Sequence, residues 1–231
     1  MQSDATIVTA TLAMRYNPNA DSNGRQRPLV LDGVNLKLKS LSLDGKKLDK
    51  SAYLIDEKSL TINDVPPNFT VECITAIQPS KNTALVGLYQ TQGLYCTQCE
   101  PEGFRRITYY LDRPDVLSEF TTTLIADRAD FPVLLSNGNL IAKGGVDGQA
   151  HRHWATWHDP FRKPSAIFAI VAGRLQYIED SFTSCSGRRI RIRIFAESKN
   201  LSQCHYAMAV TKQAMAWDER VYGREYDLDM F

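Results

Sequence analysis

The chain has 231 residues, 43% of them apolar, enough to fill the core of one large domain, or of one domain with part of another. Twenty-seven basic side chains stand against 26 acidic ones; that balance removes the broad field that nucleic acid or an anionic membrane would need, so neither partner is expected. No stretch approaches the roughly 18 continuous apolar residues of a membrane span, and Met1–Met14 lacks the basic segment, apolar run and cleavage site of an export signal. Five cysteines, an odd number in a chain too large to depend on disulfides, point to a reducing compartment, and the cytoplasm is the expected location.

Short apolar runs between turn signals predict strands at Thr6–Ala13, Leu36–Leu43, Phe69–Ile77, Phe120–Ala126 and Pro132–Leu135. Asp44-Gly45 and Asn137-Gly138 pair residues that tolerate positive φ, and each predicts a tight hairpin. Further strands are predicted at Trp154–His158, Ala166–Ala172 and Gly173–Glu179. The fold class is therefore mainly β, a β-sandwich or open, saddle-like sheet assembly over about 170 residues.

Past Gly187 the pattern changes. Ile190, Ile192 and Ile194 alternate with Arg189, Arg191 and Arg193, a half-exposed strand whose arginine stripe reads as its solvated face. Tyr206, Val210, Ala214, Trp217 and Val221 then recur at helical spacing, with Gly223 placed to end the run, which predicts one amphipathic helix over Leu201–Tyr222. Tyr226, Leu228 and Met230 alternate with Asp227 and Asp229 as in a strand, with nothing to pair or cover it, so the chain is expected to stop inside a second domain.

The residues able to carry chemistry form no complete constellation. Cys96 and Cys99 make a C-x-x-C, but Cys73, Cys185 and Cys204 are isolated and supply no second ligand pair. The setting also reads as loop and strand rather than the helix start that lowers a redox thiol. His151, His153 and His158 crowd one segment, yet only Asp159 stands near them, and they read as incidental imidazoles on a surface hairpin. There is no H-E-x-x-H, no G-x-S-x-G, no phosphate-cradling glycine loop and no dinucleotide fingerprint.

Three stretches carry more. A-L-V-G-L-Y-Q at Ala84–Gln90, the long Y-C-T-Q-C-E-P-E-G-F-R-R-I-T-Y-Y-L-D-R-P-D at Tyr95–Asp115, and P-V-L-L-S-N-G-N at Pro132–Asn139 together resemble the bacterial aminopeptidase N family, gluzincin zinc metallopeptidases. Weaker agreement runs on through Asp159-Pro160-Phe161, Phe168–Gly173, Trp217-Asp218-Glu219 and Tyr226–Asp229. The resemblance implies an N-terminal β-domain over residues 1–173, with its opening strands shortened. Residues 174–231 would then be the truncated α/β start of a thermolysin-like catalytic domain, the boundary falling near Ala172–Gln176.

It further implies that the G-A-M-E-N segment and the zinc ligands lie beyond this chain. Zinc is accordingly expected in the complete enzyme and no cofactor in this part, and the chain alone is expected to be inactive. The partners implied for the complete enzyme are peptide N-termini. The site residues that transfer are Gln98 and Glu100 in C-T-Q-C-E, the glutamate accepting hydrogen bonds from the substrate's α-ammonium and the glutamine lining the same pocket, with Glu102 as a nearby decoy. The resemblance also implies a cis peptide bond after Glu100, where Pro101 lowers the penalty to about 0.5–1 kcal/mol. The competing reading is a free-standing, non-catalytic β-sandwich binding module whose C-terminal helix docks a partner, against which the uncovered strand at Tyr226–Phe231 argues.

Overall fold

The computed structural model describes residues 5–17 and 28–231. They fall into two compact units that interleave along the chain: one runs up to Glu119 and resumes over Phe161–Val171, and the other comprises Phe120–Pro160 and Ala172–Phe231. Phe120–Pro160 thus groups with the C-terminal part of the chain. As the alternating patterns predict, the architecture is mainly β, built from antiparallel sheets.

In the first unit the Asn68–Ile77 strand is central, pairing antiparallel with Thr6–Arg15 on one side and Lys37–Leu43 on the other. Its period-2 pattern explains the position: Phe69, Val71, Cys73, Thr75 and Ile77 are all buried while the residues between them face outward. A smaller antiparallel sheet of Leu29–Asp32, Ser59–Ile62 and Tyr53–Ile55 adds Leu31, Leu60 and Ile62 to the same core. Asp44 and Gly45 adopt φ 48° and 75° and join Leu43 to Lys46 across a two-residue hairpin, as predicted.

In a three-stranded sheet that falls mostly in the second unit, the long Gln149–Pro164 strand lies between Leu117–Asp127 and Asn139–Val146. Gln176–Thr183 and Arg189–Ala196 form an antiparallel pair. One face of that pair, with Ile190 and Ile192 fully buried, packs on the Cys204–Tyr222 helix. Gly223 ends the helix in the left-handed conformation, its N–H donating to Glu219 O at 3.1 Å.

Several of these expectations are corrected. Asn137-Gly138 closes no hairpin, because the strands flanking it belong to different sheets. Glycine is required there because its φ is 90° and a Cβ would stand 2.2 Å from the His158 carbonyl oxygen. The predicted Ala166–Ala172 strand begins as a 3-10 turn at Ser165–Ile167 and extends only from Ile170, and the next strand starts at Gln176 rather than Gly173.

The helix buries Cys204, Met208 and Met215, whereas Tyr206, Val210, Trp217 and Val221 are exposed, Tyr206 by 79%. Spacings of four and seven give the cysteine and methionines their own helical stripe, and unbranched methionine fits the groove over Ile190 and Ile192 better than the bulkier aromatics. Finally, the C-terminal segment is paired: Arg191 N–H donates to Asp229 O at 2.9 Å, Phe231 N–H to Arg191 O at 2.8 Å, and Arg193 N–H to Phe231 O at 3.0 Å, a parallel register reached through the helix.

Gly138→Ala and Gly148→Ala both place alanine at positive φ, a strain of roughly 1–2 kcal/mol, but nothing lies within 4 Å of a Cβ at 148. Gly138→Ala is therefore expected to lower the thermal midpoint clearly further than Gly148→Ala; equal shifts would show that the contact with His158 is relieved at little cost.

Candidate substrate-amine site

The segment that carries Gln98 and Glu100 emerges from a hairpin of Gly87–Thr91 and Leu94–Gln98, turned by Gln92 and Gly93 at φ 48° and 82°. Cys99 plugs the core at the strand end, and the chain then doubles back, Gly103 N–H donating to Cys99 O at 2.9 Å. Gly103 is forced by space: a Cβ there would lie 2.3 Å from Gln98 O and 2.6 Å from Cys99 Cα. The structure brings Gln98 and Glu100 together, since Gln98 Nε2 donates to the Glu100 carbonyl at 2.8 Å. Both side chains are exposed.

The cis bond is corrected. Among the described residues no peptide bond is cis, so Glu100-Pro101 is trans. The reversal that a cis bond would have supplied comes from Glu102, which takes φ 61°, and trans remains the lower-energy isomer before proline.

Arg105 and Asp112 hold this loop from behind. The Asp112 side chain is 3% exposed and that of Arg105 17%. Arg105 donates to Asp112 Oδ2 from Nε at 2.9 Å and from its backbone N–H at 3.1 Å, and from Nη2 to the Asp112 carbonyl at 2.8 Å. The other carboxylate oxygen accepts from Ser165 Oγ at 2.5 Å, and the Asp112 N–H donates to Asp32 Oδ2 at 3.1 Å. The same guanidinium reaches Asp32 at 3.7 Å and Glu102 at 3.5 Å. Glu102 is thus ion-paired, whereas the Glu100 carboxylate has no side-chain partner among the described residues.

Phe104, edge-on to Tyr110 and Phe168 with ring centroids 4.9 and 5.0 Å apart, fills the space beneath. Sequence reasoning missed Arg105 and Asp112. The available signal was an aspartate following Tyr109, Tyr110 and Leu111, an acid placed where the pattern demands burial.

Cys99, His153 and His158 are engaged by the fold itself. Burial pushes the Cys99 thiol up to about 12, with Asp112 adding to it, the opposite of an activated redox thiol. His153 Nε2 lies 2.7 Å from Phe131 O and His158 Nδ1 3.0 Å from Thr121 Oγ1, so these imidazoles bind their own fold and do not converge.

One group of metal-type donors does converge, Cys185, Glu219 and Glu225. Its chemistry does not suit a catalytic zinc. The Cys185 thiol donates to Glu225 at 3.2 Å and is pushed up by that hydrogen bond, while the Glu219 carboxylate accepts from the Cys185 N–H, and Glu225 also accepts from Ser186 Oγ at 2.7 Å. No helix among the described residues is long and apolar enough to cross a membrane.

Residues 5–167 match the Peptidase M1 N-terminal domain. The chain belongs to the M1 peptidase family. It is 48% identical to aminopeptidase N of Caulobacter vibrioides, over 98% of this chain and 25% of that protein, and 44% identical to aminopeptidase N of Escherichia coli, over 100% of this chain and 26% of that protein. The crystal structure of Legionella pneumophila aminopeptidase A in complex with aspartic acid superposes with a TM-score of 0.90 at 40% identity, covering 97% of this chain and 26% of that one. The chain therefore spans about a quarter of the length of the M1 relatives it matches.

Arg105→Ala would leave the Asp112 carboxylate buried without its cation, a loss of about 3–5 kcal/mol expected in urea unfolding; a loss below about 1 kcal/mol would show the pair to be effectively solvated.

Hydrogen bonds from Ser186, Ser184 and Cys185 hold the Glu225 carboxyl down at about 2 against an ordinary 4.5. Because the folded value is the lower, its stabilisation is complete above pH 4.5 and is lost as pH falls toward 2. Acid unfolding of Glu225→Gln is expected to show a shallower loss of stability through that window than the parent chain, and parallel curves would contradict the assignment.

Proposed function

We propose that this chain is the N-terminal part of a zinc-dependent aminopeptidase that removes N-terminal residues from peptides in the cytoplasm. Five free cysteines support that compartment. In this reading residues 1–173 are the N-terminal β-domain and residues 174–231 begin the thermolysin-like catalytic domain, which supplies the zinc ligands and the water-activating glutamate from residues beyond these. Those residues would hold the zinc, which would supply Lewis acidity toward the scissile carbonyl and the attacking water.

This chain contributes the measuring end of the site. An exopeptidase must recognise a terminal positive charge, and the ionised Glu100 carboxylate is a charge-assisted acceptor for the substrate α-ammonium, with Gln98 beside it. The observation that carries the assignment is the difference between the two loop glutamates: Arg105 already pairs with Glu102, while Glu100 is exposed with its carboxylate uncommitted among the described residues. The trans bond at Pro101 means that the anchoring geometry the resemblance implies is not pre-formed in this chain, and the assignment rests instead on the loop as it is turned at Glu102 and fastened at Gly103.

In the complete enzyme, Glu100→Gln is expected to lower kcat/KM for an alanyl chromogenic substrate by about ten- to a hundredfold, the worth of one hydrogen bond to a charged group. Glu102→Gln is expected to change it by less than about threefold. The reverse order would move the amine anchor to Glu102. The 231-residue chain assayed alone, with and without added zinc, is expected to release no alanine, and turnover surviving removal of contaminating peptidases would overturn the division of labour.

A further inference from the structure

The arginine stripe of the Arg189–Ala196 strand is not fully accounted for as a solvated face. Arg189 and Arg191 line a cavity of about 600 Å³ in the second unit, together with Asn139, Glu179, Asp180 and Asp229. On bare count its three carboxylates outnumber its two guanidiniums. Each carboxylate, however, is paired with a cation outside the lining: Glu179 with Arg193 at 2.5 Å, Asp229 with Arg188 at 3.4 Å, and Asp180 with Lys212.

Asp229 is further occupied by Asn139, whose Nδ2 donates to its carboxylate at 3.2 Å and whose Oδ1 accepts the Asp229 N–H at 3.0 Å. Arg193 is in turn fixed over the Tyr177 ring, 4.8 Å from its centroid. Among the described residues Arg189 and Arg191 make no ion pair or side-chain hydrogen bond at contact distance, although both attract Glu179, and Arg189 attracts Asp180, through space. They lie two apart on one strand and so project from the same face.

We propose that this cavity is a binding site for a small oxyanion, a carboxylate or a phosphate, gripped by the forks of Arg189 and Arg191. Guanidinium matches the paired oxygens of such groups, and the volume lies within the range of small-molecule sites. The proposal does not rest on the aminopeptidase reading. Its selectivity against cations follows from the outer ring: the lining carboxylates that would attract them are already paired.

The test is an NMR titration of the isotope-labelled chain with inorganic phosphate and, separately, succinate, at constant ionic strength. Saturable shifts at the Arg189 and Arg191 Nε–H signals with one or both anions are expected, and the arm that saturates first names the preferred group. Arg191→Gln is expected to weaken binding about tenfold. Arg193→Gln should weaken it too, because Glu179 would then face the cavity uncompensated. Arg162→Gln, which removes the same charge from a surface pair with Glu119 in the first unit, should leave it unchanged. Absence of saturable shifts with both anions, or an equal weakening in all three variants, would reduce the stripe to general surface charge. The parent-chain titration decides the matter even where a variant folds poorly.

Discussion

One buried carboxylate organises the part of the molecule that faces substrate in our reading. An ionised aspartate at 3% exposure is tolerable only if its oxygens are fully engaged, because the cost of stripping its water is several kcal/mol. Asp112 meets that condition with Arg105 on one oxygen and Ser165 on the other, and its own N–H goes to Asp32. Segments distant in sequence are thereby held at one point. The guanidinium that neutralises Asp112 has a corner left over for Glu102, so the loop that presents Glu100 is braced through charge as well as through the tight backbone contact at Gly103.

How much of this was legible beforehand depended on whether the deciding contact was local. Period-2 alternation placed the Asn68–Ile77 and Arg189–Ala196 strands closely, since a strand with one buried face writes that face into every second residue. Asp44-Gly45 was readable for the same reason, its φ values being set within the turn. Asn137-Gly138 has the same chemistry but answers to a distant constraint, the backbone at His158, which no dipeptide rule contains.

The helix shows a different failure. Two stripes of Cys204–Tyr222 have helical spacing, and hydrophobicity favours the aromatic one, but the sheet beneath selects by shape and takes the methionines. For the site, Gln98 and Glu100 were named through resemblance and stand side by side, while the Arg105–Asp112 pair that supports them was missed, because an ion pair across a loop leaves no periodic trace beyond one acid after Tyr109, Tyr110 and Leu111. The peptide geometry at Pro101 followed the general preference of the amide rather than the resemblance.

The interleaved path of the chain sets an order on biosynthesis. The ribosome delivers the Glu100 loop, Arg105 and Asp112 early, then the whole Phe120–Pro160 excursion, and only afterwards Ser165 and the Phe161–Val171 return. Until that return emerges, one oxygen of Asp112 lacks its hydroxyl donor and Phe104 lacks the Phe168 ring. The nascent first unit therefore waits, incompletely closed, while a segment of the second is made. The contacts of Ser165 and Phe168 are thus the last to form, when the chain doubles back to seal a core begun many residues before.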